Sequence, residues 1–118
     1  MSVIGCGTFT LSGTKQHVYF GAAADRLVVL ARTGDADDAV DLFLVDPSAD
    51  GVTLTQKMSI SSDTQYRVDF ANVAVTEADR IGAAGTGWAT WQTVMDEGMI
   101  LAAALANGGA DYALEITV

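Results

Sequence analysis

At 118 residues, half of them hydrophobic, the chain is one domain's worth of sequence and can bury a core without disulfide or metal staples. Fifteen acidic residues against six basic ones give a formal charge of −9, which excludes an undirected nucleic-acid partner and an anionic membrane surface, since both require a basic face. A single cysteine, Cys6, cannot close an internal disulfide, and the N-terminus carries neither the basic stretch nor the long apolar run of a secretion signal, so a reducing, cytoplasmic setting is expected.

The chain opens on the apolar, glycine-bearing segment MSVIGCG, and Thr8 to Leu11 has the β-branched and aromatic content of a strand. Ser12-Gly13-Thr14 reads as a tight turn leading into a second strand with Val18, Tyr19 and Phe20, so a hairpin is expected there. Arg26 to Arg32 is a continuous apolar run bounded by charge, the pattern of a strand buried on both faces. Val40 to Asp46 alternates apolar residues with Asp41 and Asp46, and the only proline, Pro47, falls just past its end. Val52 to Met58 alternates again, and after a serine-rich turn Tyr66 to Val75 does so once more. About six short strands separated by polar turns, with no helical period among them, predict a mainly β fold: a small antiparallel barrel or sandwich, not a βαβ sheet.

The period changes at Trp88. Trp88, Trp91, Met95, Met99, Ala102 and Ala106 lie three or four apart, which predicts one long C-terminal α-helix capped by Thr86 or Thr90. The organisation is therefore a barrel-like part over residues 1–80 and a turn with its helix over residues 81–118. Gly98, Gly108 and Gly109 each cost about 1 kcal/mol relative to Ala inside a helix, so this helix is expected to depend on packing. The small-residue surface of Ala102, Ala103, Ala106, Gly109 and Ala110 predicts a homo-oligomer, most simply a twofold dimer, built on it. The longest strongly apolar run, Met99 to Ala106, falls far short of the roughly 18 residues a membrane span needs.

Residues that could carry chemistry are few. A histidine such as His17 could act as a base, but it has no partnered nucleophile in the pattern, as expected of a strand histidine with a satisfied ring nitrogen. Cys6 has no basic neighbour to lower its pKa and reads as inert. Asp35, Asp37, Asp38 and Asp41 offer oxygens at short spacing, but without the mid-loop glycine and closing glutamate of a calcium loop they read as a solvated connection. Gly82 to Gly87 precedes a helix as a phosphate-cradling loop does, yet it lacks the lysine and the βαβ context, so a structural turn is expected.

The stretch from Leu11 to Asp25 resembles the middle β-domain of the acyl-CoA dehydrogenase family through Gly13, Lys15, Val18, Gly21, Ala24 and Asp25. The resemblance continues through Leu27 to Thr33, Asp41 to Asp46, Gly51 to Leu54, Val68 to Val75, Ile81 to Trp88 and Ala103 to Leu114, covering nearly the whole chain. It implies a β-domain set between two helical domains, with flavin adenine dinucleotide (FAD) and an acyl-CoA held between them for α,β-desaturation. This chain resembles the middle piece and the first helix of the domain that follows. The family's Thr-Glu-Pro…Gly-Ser-Asp flavin segment would precede it. The catalytic glutamate would lie beyond it or, in a subset of members, at the position of Gly98, beside Glu97. His17 and Tyr19 stand at the flavin-facing positions in place of the usual aromatic and hydroxyl residues, Met99 stands where Arg is common, and Thr76 where Pro is. The resemblance therefore implies a fragment or descendant of such an enzyme that neither catalyses nor retains FAD alone, with an acyl-CoA or another small ligand as partner. A self-standing β-barrel module for binding or assembly is the alternative.

Overall fold

In the computed structural model, residues 7–60 and 63–118 are described; Cys6 and part of the serine-rich turn lie outside them. The chain divides into two compact units, Met1–Gly87 and Trp88–Val118.

The first unit holds six strands among the described residues: β1 (Thr8–Tyr19), β2 (Leu27–Arg32), β3 (Val40–Val45), β4 (Val52–Lys57), β5 (Gln65–Thr76) and β6 (Arg80–Ile81). They form two three-stranded antiparallel sheets, ordered β1-β5-β4 and β2-β3-β6. The mainly β class and the antiparallel pairing agree with the sequence. The sheets do not close into a barrel: β1 and β2 are both edge strands.

The expected hairpin at Ser12-Gly13-Thr14 is absent. β1 runs straight through it, pairing with β5 from Thr8 opposite Thr76 to Tyr19 opposite Gln65. The turn chemistry is spent on a β-bulge, because the register shifts between Leu11 and Gly13 and places an extra β5 residue there. Asn72 takes the left-handed conformation at φ 54°, and Ser12 holds it from across the ladder: its hydroxyl donates to Asn72 Oδ1 at 3.1 Å and accepts from the Asn72 N–H at 3.2 Å. A second shift, between Lys15 and Val18, bulges β1 itself.

Two strand assignments exchange their burial. β2, read as buried on both faces, alternates instead: Leu27, Val29 and Ala31 face the core while Val28 is 59% exposed. β3, read as alternating, is buried at every residue except Leu44. Position in the sheet explains both. β2 is an edge strand, whereas β3 is central, and the turn before the helix lies against it so closely that a Cβ on Gly87 would come within 2.5 Å of the Val40 carbonyl oxygen. The core lies between the sheets, with Leu11, Val68 and Val73 from one and Phe43 and Val29 from the other, each contributing about 1.5–3 kcal/mol when fully buried.

The second unit is made almost entirely of α1 (Gly87–Glu115), the 29-residue helix that the period after Trp88 predicts, whose first residue belongs to the first unit. Thr86 does not act as an acceptor cap; its hydroxyl donates to the Ala83 carbonyl at 2.7 Å. The helix contains no lysine or arginine, so no i,i+4 ion pair supports it, and within it only Gly87 is buried. Among the described residues no helix is long and apolar enough to cross a membrane.

Candidate functional site

The second bulge places His17 in the left-handed region at φ 56°, a conformation that costs about 1–2 kcal/mol for a residue with a Cβ. A strained position of this kind persists only where neighbours fix it. Here Gln65, 8% exposed at the start of β5, lies 2.9 Å from His17 Nδ1 through its Oε1, and its Nε2 donates to Ser59 Oγ at 3.3 Å. The side-chain amide oxygen of Gln65 can only accept, so Nδ1 donates in this contact. His17 is exposed on β1, with one ring nitrogen engaged by Gln65.

Tyr19, two residues on, is 56% exposed and pairs with Gln65 across the ladder. It lines a cleft of about 230 Å³ between the edges of β1 and β2, together with Lys15, Val18, Ala24 and Arg26 at the mouth and Leu27, Val29, Val68 and Phe70 deeper in. His17 does not line this cleft. Lys15, which the sequence marks only as part of the family resemblance, does line it. It is half-buried, burial pushes its ammonium below the ordinary lysine pKa, and among the described residues it makes no ion pair. Arg26 is tied to Asp46 at 3.1 Å.

Elsewhere in this unit a buried ion pair joins β3 to β6. Asp41 Oδ1 accepts the Gly85 N–H at 2.7 Å and Oδ2 faces Arg80 Nε at 3.7 Å, with the two side chains only 4% and 8% exposed. The Arg80 guanidinium lies 4.9 Å from the Phe9 ring centroid and 5.7 Å from that of Phe43, and it meets Glu77 at 3.2 Å. Asp41, which reads in sequence as part of an acidic loop, is therefore the link between β3 and the turn entering the helix. Among the described residues no group of three or more His, Cys, Asp or Glu side chains could hold a metal ion. The Gly82 to Gly87 turn carries no lysine and is held by protein groups, Asp41 among them.

No family model matches the chain. Over 113 residues, 92% of this chain, it is 31% identical to the short-chain-specific acyl-CoA dehydrogenase of Megasphaera elsdenii, of which it spans 30%. The chain belongs, over that share of a member's length, to the acyl-CoA dehydrogenase family. Solved acyl-CoA dehydrogenases carry the same fold. That of Geobacillus kaustophilus superposes with a TM-score of 0.70 over 78% of this chain and 26% of its own, at 19% identity. A glutaryl-CoA dehydrogenase of Mycobacterium smegmatis, solved with FADH2, superposes with a TM-score of 0.58 over 67% of this chain and 21% of its own, at 25% identity. The chain thus spans about 30% of the length of the curated acyl-CoA dehydrogenases it matches.

Proposed function

We propose that this chain is the middle β-domain and following helix of a flavin-dependent acyl-CoA dehydrogenase, and that it serves α,β-desaturation of an acyl-CoA only as part of a larger whole. The observation that supports this reading is the match across 92% of the chain, helix included, to about 30% of a short-chain enzyme. A cytoplasmic setting and an assembly through α1, a homodimer or a higher even oligomer, belong to the same reading.

FAD is the cofactor the family implies, with His17 and Tyr19 at the positions facing its ring. The residues present do not fit a flavin held by this chain alone. His17 already uses Nδ1 on Gln65, Tyr19 belongs to a separate cleft, and neither side chain is enclosed. A cofactor is held by convergent polar groups in a largely buried site. Position 98, where some members carry the glutamate, is a glycine, and the adjacent Glu97 sits about 100° around the helix from it.

Four measurements on the purified 118-residue chain test the reading. It should be colourless, give no saturable FAD titration at micromolar concentration, and reduce no electron acceptor on addition of an acyl-CoA. Stoichiometric flavin absorbance, or acyl-CoA-dependent turnover that disappears in Glu97→Gln, would overturn the non-catalytic assignment. Light scattering should report a dimer or higher even assembly that Ala103→Glu disrupts; a dilution-independent monomer would rule out assembly through α1.

A further inference from the structure

The cleft between the edges of β1 and β2 has the composition of a binding site that neither His17 nor a flavin explains. The chain carries six basic residues against fifteen acidic ones, yet two of the six, Lys15 and Arg26, line this one opening. Below them the walls are apolar: Leu27 and Val29 from one sheet, Val68 and Phe70 from the other. The sheets do not close here, because neither β1 nor β2 has a second strand neighbour. At about 30 Å³ per water-sized group, a volume of about 230 Å³ takes roughly seven or eight heavy atoms.

A half-buried ammonium over an apolar floor is half of an amphiphilic pair. Its complement is an anion small enough to reach Lys15 and apolar enough to fill the space behind it. We propose that this cleft binds a small aliphatic carboxylate, its headgroup on Lys15 with Arg26 at the rim and its chain among Leu27, Val29, Val68 and Phe70. Of the two cations lining this cleft, Lys15 is the one without an ion pair among the described residues. Arg67 is committed to Asp69, Arg80 to Asp41 and Glu77, and Arg26 is shared with Asp46 and so contributes from one side only. Burial has already lowered the affinity of Lys15 for its proton, and a bound carboxylate restores it. Binding takes up a proton only at a pH where Lys15 is partly deprotonated in the free protein, and it weakens as pH rises through the pKa of Lys15 there.

Hexanoate, which fills the volume, is the probe, and hexanol is its neutral control. In an amide NMR titration of the 118-residue chain at neutral pH, hexanoate should saturate shifts at Lys15, Val18, Val28 and Phe70, with hexanol binding at least about tenfold more weakly, the usual value of a charge-assisted contact. Lys15→Met keeps the stem and removes the charge, so it should bring hexanoate down to the level of hexanol, while Lys15→Arg retains the preference. Amide dispersion reports whether each variant folds, and the comparison of the two ligands in the parent chain stands even if Lys15→Met does not. Equal binding of hexanoate and hexanol, shifts confined to residues outside the cleft, an unchanged preference in folded Lys15→Met, or no saturation by about 10 mM hexanoate would each overturn the assignment. Any of these outcomes would leave Lys15 as an edge-strand charge that only deters strand pairing.

Discussion

Removing the carboxylate of Asp41 tests whether the buried pair with Arg80 holds the first unit together. In Asp41→Ala the Gly85 N–H loses its acceptor at 2.7 Å, and Arg80, only 8% exposed, loses one of its two carboxylates. Stripping one partner from a buried pair costs about 3–5 kcal/mol. The lower half of that range applies here, since Arg80 keeps Glu77 at 3.2 Å and the faces of Phe9 and Phe43. The expected loss is thus about 3–4 kcal/mol, from a unit whose whole stability is on the order of 5–10 kcal/mol. Both tryptophans, Trp88 and Trp91, belong to α1, so urea unfolding should be followed through the amide signals of core residues such as Leu11 and Val68. Asp41→Asn keeps an acceptor for Gly85 and loses the charge, so it should fall between Ala and the parent. Replacing both partners, as Asp41→Leu with Arg80→Met, should recover much of the loss, because no unpaired charge then remains buried. An Asp41→Ala midpoint corresponding to less than about 1 kcal/mol of destabilisation would refute the reasoning.

Two glycines of the helix should respond in opposite directions to the same substitution. A Cβ on Gly98 meets nothing within 4 Å, so Gly98→Ala should stabilise α1 by about 1 kcal/mol and raise the ellipticity at 222 nm, whereas Gly87→Ala drives its methyl into the Val40 carbonyl and should destabilise the first unit; similar effects from both would contradict the structure. The Asp79 carboxylate accepts from both the Thr76 N–H and the Thr76 hydroxyl at 2.8 Å, and the backbone bond foremost holds its pKa below the ordinary carboxylate value. Its contribution is therefore fully present above about pH 4 and is lost as pH falls through the lowered folded pKa, so Asp79→Asn should lose less thermal stability between pH 7 and pH 3 than the parent does. Equal losses in the two proteins would show that this bond does not feed acid stability.

The parts of the fold legible in the sequence are those set by period. Alternation located β4 and β5, and the three-and-four spacing after Trp88 located α1. What period could not supply was each strand's place in its sheet. Leu27–Arg32 and Val40–Val45 look alike in composition, and their difference in burial follows from edge against centre, which depends on partners far along the chain. Ser12-Gly13-Thr14 misled for a related reason. Small polar residues and glycine serve turns and bulges equally, and the choice here is made by Asn72 across the ladder. His17 was legible as a residue of note, but its partner Gln65 was not, since a glutamine in a strand carries no signal of its own. The half-burial of Lys15 escaped because it arises from the meeting of two sheets.

The pairing of β1 with β5 also sets an order in time. β2 pairs with β3 and β4 with β5 across short connections, so each pair closes soon after its second strand is made. The first strand of the chain has no such neighbour: Tyr19 must wait for Gln65, and Thr8 for Thr76. At about 5–20 residues per second on the ribosome, β1 stays unpaired for several seconds after it emerges. During that interval Phe9 and Leu11, later enclosed between the sheets, are open to any chain nearby. The long-range closure of β1 onto β5 is then a late and slow step for this unit, one at which crowding or a chaperone has influence.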